Sequence, residues 1–139
     1  LQFEQAVAMI EATGRRRIGI VGLSFKPGID DLRSSPLVAL AERLLGNGYT
    51  VRIFDPVVRV SQLTGANAAF LAGRLPRIRE MLHETPAEVI AHSDVVVVAD
   101  AEAGQGLLPD LLQRGIVVID LVRMSRDRRS DGAYRGLSW

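Results

Sequence analysis

Lys26 is the one ammonium among seventeen basic side chains; the rest are arginines. A lysine presents a compact point charge on a flexible stem, which the wide, planar guanidinium does not replace. It stands in the run Gly22-Leu-Ser-Phe-Lys-Pro-Gly-Ile-Asp-Asp-Leu-Arg-Ser-Ser-Pro. Codon bias with one lysine surviving by chance is the plain alternative, and this loop context speaks against it. Phe25 offers a ring face to a flat group, Lys26 one positive charge to an anion or hydroxyl cluster, and Arg33 a fork for a phosphate or carboxylate. Asp30 or Asp31 fits a turn cap paired with Arg33. Asp55, Asp100 and Asp120 each end an apolar run. A carboxylate there commonly caps the next element; reading a ribose is the functional alternative for Asp55.

Other chemistries fail on composition or spacing. The absence of cysteine removes disulfides, zinc–thiolate sites and a thiol nucleophile. Two histidines, His83 and His92, are too few and too scattered for a metal site. A net charge of +1 gives no reason to expect nucleic acid or membrane as partner. The arginine clusters at Arg15–Arg17 and Arg126–Arg129 read as solvated ends. No apolar run reaches membrane-spanning length, and no secretory signal is visible, so a cytoplasmic protein is expected. A dinucleotide fingerprint needs Gly-x-Gly-x-x-Gly; registered on Gly22, its positions hold Gly22, Ser24 and Pro27. A phosphate-binding P-loop is excluded because Pro27, not Ser or Thr, follows Lys26. A receiver-like constellation is excluded because the lysine follows the first strand rather than the last.

The elements that position these residues follow from periodicity. Residues 2–13 carry a helical apolar stripe stopped by Gly14. Ile18–Val21, Val95–Ala99 and Ile116–Ile119 are short apolar runs as expected of buried parallel strands, and Thr50–Phe54 is a further strand ended by Asp55-Pro56. Ser35-Pro36 starts a helix that ends at Gly46-Asn47-Gly48, and Thr85-Pro86-Ala87-Glu88 starts another with a capping box. Further helices are expected at Val58–Leu63, Ala68–Leu75 and Leu107–Arg114, a short strand at Ile78–Leu82, and a loosely held tail from Ser125. The alternation predicts an α/β fold: an open, mostly parallel Rossmann-like sheet with helices on both faces. Ligands of such sheets lie beyond the carboxyl ends of the strands, the edge that carries Lys26.

The run from Gly22 to Leu37 resembles the signature that opens the C-terminal domain of the UDP-glucose/GDP-mannose 6-dehydrogenase family. The resemblance continues in Tyr49–Pro56. Thr64-Gly-Ala-Asn, Leu75-Pro, Ser93-Asp-Val-Val-Val-Val, Val118-Ile-Asp-Leu-Val and the closing Trp139 look more like the GDP-mannose branch. Family members join an NAD-binding Rossmann domain, a central helical region that builds the dimer, and a nucleotide-sugar-binding domain. They oxidise the sugar C6 alcohol to a carboxylate in two NAD-dependent steps through a cysteine thioester, supplying uronic acid donors for polysaccharide synthesis. The resemblance implies that residues 1–14 end the central helix and residues 15–139 form the C-terminal domain. It matches Phe25 and Lys26 to substrate-binding positions and Arg33 to one that reaches NAD held by the other domain. It implies GDP-mannose, or a related nucleotide sugar, and the N-terminal NAD-binding domain as partners, with a homo-oligomer at full length. No catalytic residue is expected in this chain, so it should bind and position without turnover. UDP-glucose enzymes usually place an arginine two residues after the last strand's aspartate; here Val122 stands there and Arg123 follows. The alternatives are the same domain of a UDP-glucose 6-dehydrogenase, or a free-standing nucleotide-binding or assembly module. The coding sequence upstream of Leu1 discriminates.

Lys26→Ala should weaken nucleotide-sugar binding in the full enzyme by about 1.5–3 kcal/mol, the worth of a charge-assisted hydrogen bond. Lys26→Arg should be impaired as well. Normal substrate affinity of Lys26→Arg, measured by titration, would defeat the argument from the lone lysine.

Overall fold

The computed structural model describes residues 2–23, 35–56, 58, 65–124 and 131–136. Its core is a parallel sheet of six strands in the order β3-β2-β1-β4-β5-β6. These are β1 Arg17–Val21, β2 Thr50–Phe54, β3 Leu82–His83, β4 Val95–Val98, β5 Val117–Asp120 and β6 Tyr134–Gly136. The order is that of a doubly wound α/β sheet, with the topological switch between β1 and β4. The helices are α1 Gln2–Ala12, α2 Pro36–Gly46, α3 Gly65–Arg74, α4 Ile78–Met81, α5 Pro86–Ile90 and α6 Ala101–Gln113. None among the described residues is long and apolar enough to cross a membrane.

Strand alternation divides the interior into two layers. Ile18, Ile20, Val51, Ile53, Val95, Val97 and Ile119 face the layer that contains the apolar sides of α1, α2 and α4. Val21, Phe54, Val96, Val98 and Val118 face the layer of α5 and α6. Central strands are thus apolar on both faces, which is why they read as unbroken runs rather than alternating ones.

Helix starts follow their chemistry. Ser35 Oγ accepts from Leu37 N at 3.2 Å and Val38 N at 3.4 Å, with Pro36 at the first turn of α2. Thr85 Oγ1 accepts from Glu88 N at 3.4 Å and donates to Glu88 Oε1 at 3.0 Å. The helix expected at Ala68–Leu75 is α3, and that expected at Val58–Leu63 lies mostly outside the described residues.

Four expectations are corrected. Ile78–Leu82 is not a strand: Ile78 and Met81 bury one face of the short helix α4, and only Leu82–His83 pairs with β2. The helix expected from Leu107 begins six residues earlier, at Ala101, capped by Asp100. Gly104 and Gly106 hide its first half because each lowers helix propensity. The tail is not wholly loose, for Tyr134–Gly136 pairs with β5 and Tyr134 is buried. Arg15–Arg17 are also more than a solvated end. Arg15 donates to the carbonyls of Asp94 and Gly115, Arg16 lies over the Tyr49 ring, and Arg17 pairs with Asp94. Arg126–Arg129 lie outside the described residues.

Gly104 sits where α6 crosses β4. A Cβ there would lie 2.4 Å from Val98 Cγ1 and 2.6 Å from Met124 Sδ. Gly104→Ala gains about 1 kcal/mol of helix propensity, but overpacking of a tight core costs about 1–3 kcal/mol. At 2.4 Å from a branched, fully buried valine the second effect wins. A net destabilisation of about 1–2 kcal/mol is expected in urea unfolding, and a stabilised variant would show that α6 can slide off β4.

Candidate functional site

The carboxyl edge of the sheet is built from turns closed by buried acids. Leaving β1, the chain passes Gly22 at φ 99°. A Cβ there would stand 2.9 Å from both the backbone N and the Cβ of Asp100, so only glycine lets β1 run past the end of β4. Gly22 N donates to Phe54 O at 2.8 Å, and Ala99 N to Val21 O at 2.8 Å. The pairing of β2, β1 and β4 thus extends to the lip of the crevice at the switch point.

Asp55, at the end of β2, is 5% exposed. Its Oδ2 accepts from Leu23 N at 2.7 Å and its Oδ1 from Val58 N at 2.8 Å. One carboxylate therefore ties the exit of β1 to the exit of β2. Ser35 Oγ donates to Leu23 O while capping α2. Leu23 and Ser35, which flank the run 24–34, are thereby held together. Phe25, Lys26 and Arg33, with Asp30 and Asp31, lie outside the described residues.

The other strand-ending acids are also caps. Asp100 Oδ1 accepts from Ala103 N at 3.0 Å at the start of α6. Asp120 is fully buried and takes three donors: Val122 N at 2.9 Å, Met124 N at 2.8 Å and the Tyr134 hydroxyl. Sequence periodicity misses Tyr134, because a three-residue strand carries no period; a buried acid in need of a donor was the available signal. The turn Leu121–Met124 is further fixed by Gln105 Nε2, which donates to Met124 O at 2.8 Å. Arg123, at its tip, is exposed and has φ 53°.

The amino edge differs. Arg17 donates to both oxygens of Asp94 at 3.0 Å, and these hydrogen bonds hold Asp94 below the usual carboxylate range. A cavity of about 330 Å³ lies near the start of β2, lined in part by Tyr49, Arg52, Arg77 and Met81. It is far along the strands from the carboxyl edge and holds none of the candidate residues.

Residues 19–124 match the model of the UDP-glucose/GDP-mannose dehydrogenase family, UDP binding domain. The chain belongs to that family. It is 36% identical over 139 residues to the GDP-mannose 6-dehydrogenase of Pseudomonas putida, covering 99% of this chain and 32% of that protein. It is 41% identical over 124 residues to that of Pseudomonas aeruginosa, covering 87% of the chain and 28% of the relative. A crystal structure of a ternary complex of the GDP-mannose dehydrogenase from Pseudomonas aeruginosa superposes with TM-score 0.81 at 38% identity, over 99% of this chain and 31% of that one. The chain therefore spans about a third of these relatives.

Members of the family depend on NAD, and the described residues do not fit a self-contained dinucleotide site. The fingerprint is incomplete, and the acid at the end of β2, Asp55, is buried and bonded to backbone amides instead of standing free at the crevice. Asp55 is thus a cap rather than a reader of ribose. Asp55→Asn leaves one carbonyl oxygen for two amide donors and sets an NH2 group against the other. A loss of about 1–3 kcal/mol is expected, read as a lower urea midpoint at unchanged m-value; an unchanged midpoint would show that the two turns stand without it.

Proposed function

We propose that this chain is the nucleotide-sugar-binding domain of an NAD-dependent GDP-mannose 6-dehydrogenase. The observation that carries the reading is the joining of Leu23 and Ser35, the two residues that flank the run 24–34, at the carboxyl edge beside the β1–β4 switch. Asp55 holds Leu23, and Ser35 closes the other side. That is where a doubly wound sheet places a ligand, and the bracketed run contains the aromatic, the lone lysine and the arginine. Similarity to GDP-mannose 6-dehydrogenases over nearly the whole chain supports the substrate class.

In this reading Lys26 donates to the sugar nucleotide as a point charge. Phe25 packs beside it. Arg33, just ahead of the α2 start, faces the cofactor held by an N-terminal domain of the same enzyme. The chain contributes binding and orientation only, because it has no cysteine to form a thioester. The full enzyme is then a cytoplasmic homo-oligomer that supplies a uronic acid donor for polysaccharide synthesis.

GDP-mannose is favoured over UDP-glucose at Val122. The resemblance places an arginine there in UDP-glucose enzymes, and the missing polar partner is strongly discriminated against. The full-length enzyme should therefore use GDP-mannose with the higher kcat/KM, followed as NADH absorbance, while the 139-residue chain alone shows no turnover. Equal or better use of UDP-glucose overturns the substrate assignment, and steady turnover by the chain alone overturns the non-catalytic role.

A further inference from the structure

The two outer strands of the sheet are finished differently. At β6, Val118 N donates to Ala133 O at 2.7 Å. Ala133 and Arg135 therefore face β5, and Tyr134 between them turns its backbone groups outward. Both groups are engaged: Tyr134 N donates to Asp131 Oδ1 at 2.8 Å, and Tyr134 O accepts from Asp131 N at 2.6 Å. An edge closed in this way offers no template for another strand.

At the opposite side β3 covers only the end of β2. It pairs Leu82 with Ile53 and His83 with Phe54. The residues before it wind into α4 instead, where Met81 N donates to Arg77 O at 3.3 Å. Thr50 N donates to Arg16 O, and Phe54 O accepts from Gly22 N, so Thr50 and Phe54 face β1. Backbone groups alternate in direction along a strand, which turns those of Val51 and Ile53 the other way. Ile53 meets β3. The N–H and C=O of Val51 have no hydrogen-bond partner among the described residues. Val51 also lines the cavity of about 330 Å³, with Leu45, Tyr49, Arg52 and Met81.

We infer that this edge docks an extended polypeptide segment, one apolar residue flanked by acids, which adds a short strand beside Val51. The inference is independent of the nucleotide reading. An extended residue carries its own N–H and C=O side by side and exchanges both bonds with Val51, as opposed residues of an antiparallel pair do. Its side chain then lies on the same face as that of Val51, where Leu45 and Met81 give the cavity an apolar wall. Its neighbours lie on the other face with Arg52. Arg52 is half-buried, and its one hydrogen bond among the described residues goes to the His83 ring at 3.2 Å rather than to an acid. Arg77, by contrast, is balanced by Glu80. Acidic neighbours therefore meet an uncompensated cation. A second copy of this chain would bring its own Arg52 to the same edge, and like charges across a strand pair are unfavourable.

The test titrates the 139-residue chain with the blocked peptides Ac-Thr-Glu-Val-Glu-Thr-NH2 and Ac-Thr-Lys-Val-Lys-Thr-NH2, reading amide hydrogen exchange by NMR. The Val51 amide should exchange faster than that of Ile53 in the chain alone. Saturating acidic peptide should slow it about ten-fold or more, as a new ladder bond protects an amide. The acidic peptide N-methylated at its valine cannot donate to Val51 O and should bind about ten-fold more weakly, the worth of one hydrogen bond. That arm leaves the protein unaltered, so folding does not enter. The lysine peptide should bind more weakly than the acidic one, and Arg52→Gln should abolish the difference. Unchanged exchange at Val51 overturns the site. Equal binding of the N-methylated peptide overturns strand pairing, and equal binding of the lysine peptide to the parent chain overturns the acidic partner. Protection of Val51 that rises with protein concentration, without peptide, makes a second copy the occupant and overturns the inference as well.

Discussion

β1 has neither a free edge nor a free face. It pairs with β2 on one side and β4 on the other, and its residues are divided between the two apolar layers. Everything polar near the middle of the molecule must therefore leave at the ends of the strands. At the carboxyl end the constraint is tightest, because β1 and β4 meet with no room for a Cβ on Gly22. The crevice exists because these two strands send their following helices to opposite faces.

The second constraint follows from the first. Turns that leave packed parallel strands carry backbone amides with no ladder partner, and burying them unpaired costs a few kcal/mol each. Asp55 resolves this by accepting one amide from the exit of β1 and one from the exit of β2, and Asp120 by accepting two from the turn after β5. A buried carboxylate is itself stable only when its oxygens are bonded, so acid and turn depend on each other. The described acids at this edge, Asp55, Asp100 and Asp120, belong to the scaffold.

Much of the scaffold was legible because its causes are local. The strands β1, β4 and β5 are built on short apolar runs, β2 alternates buried Val51 and Ile53 with Arg52, and Ser35-Pro36 and Thr85-Pro86 announce their helices by side chains that cap them. What stayed hidden depends on distant contacts. The first half of α6 was illegible because Gly104, which reads as a breaker, is required by Val98 and Met124. β6 was illegible because Tyr134 is drawn in by Asp120, fourteen residues away. At the site, the acids at 55, 100 and 120 were legible as caps from their position alone. Their actual donors were not, since Asp55 bonds to Leu23, thirty-two residues earlier. Phe25, Lys26 and Arg33 were singled out by residue type and by resemblance, and they fall in a run whose flanks alone the structure describes.

The two ends of the sheet are therefore stabilised by different physics. At the amino edge Arg17 and Asp94 form an exposed ion pair, 54% and 37% accessible, of a kind that contributes roughly 0.2–1 kcal/mol and weakens with salt. At the carboxyl edge the fastening is buried and directed at backbone, so salt screens it little. An edge fixed in this way holds its turns in one geometry before any ligand arrives, and that limits the ordering that binding requires. The contrast also accounts for where charge is left over. At the amino edge Arg15 is held by carbonyls, Arg16 by the Tyr49 ring and Arg17 by Asp94, whereas Arg123 at the carboxyl edge has no hydrogen-bond or ion-pair partner among the described residues.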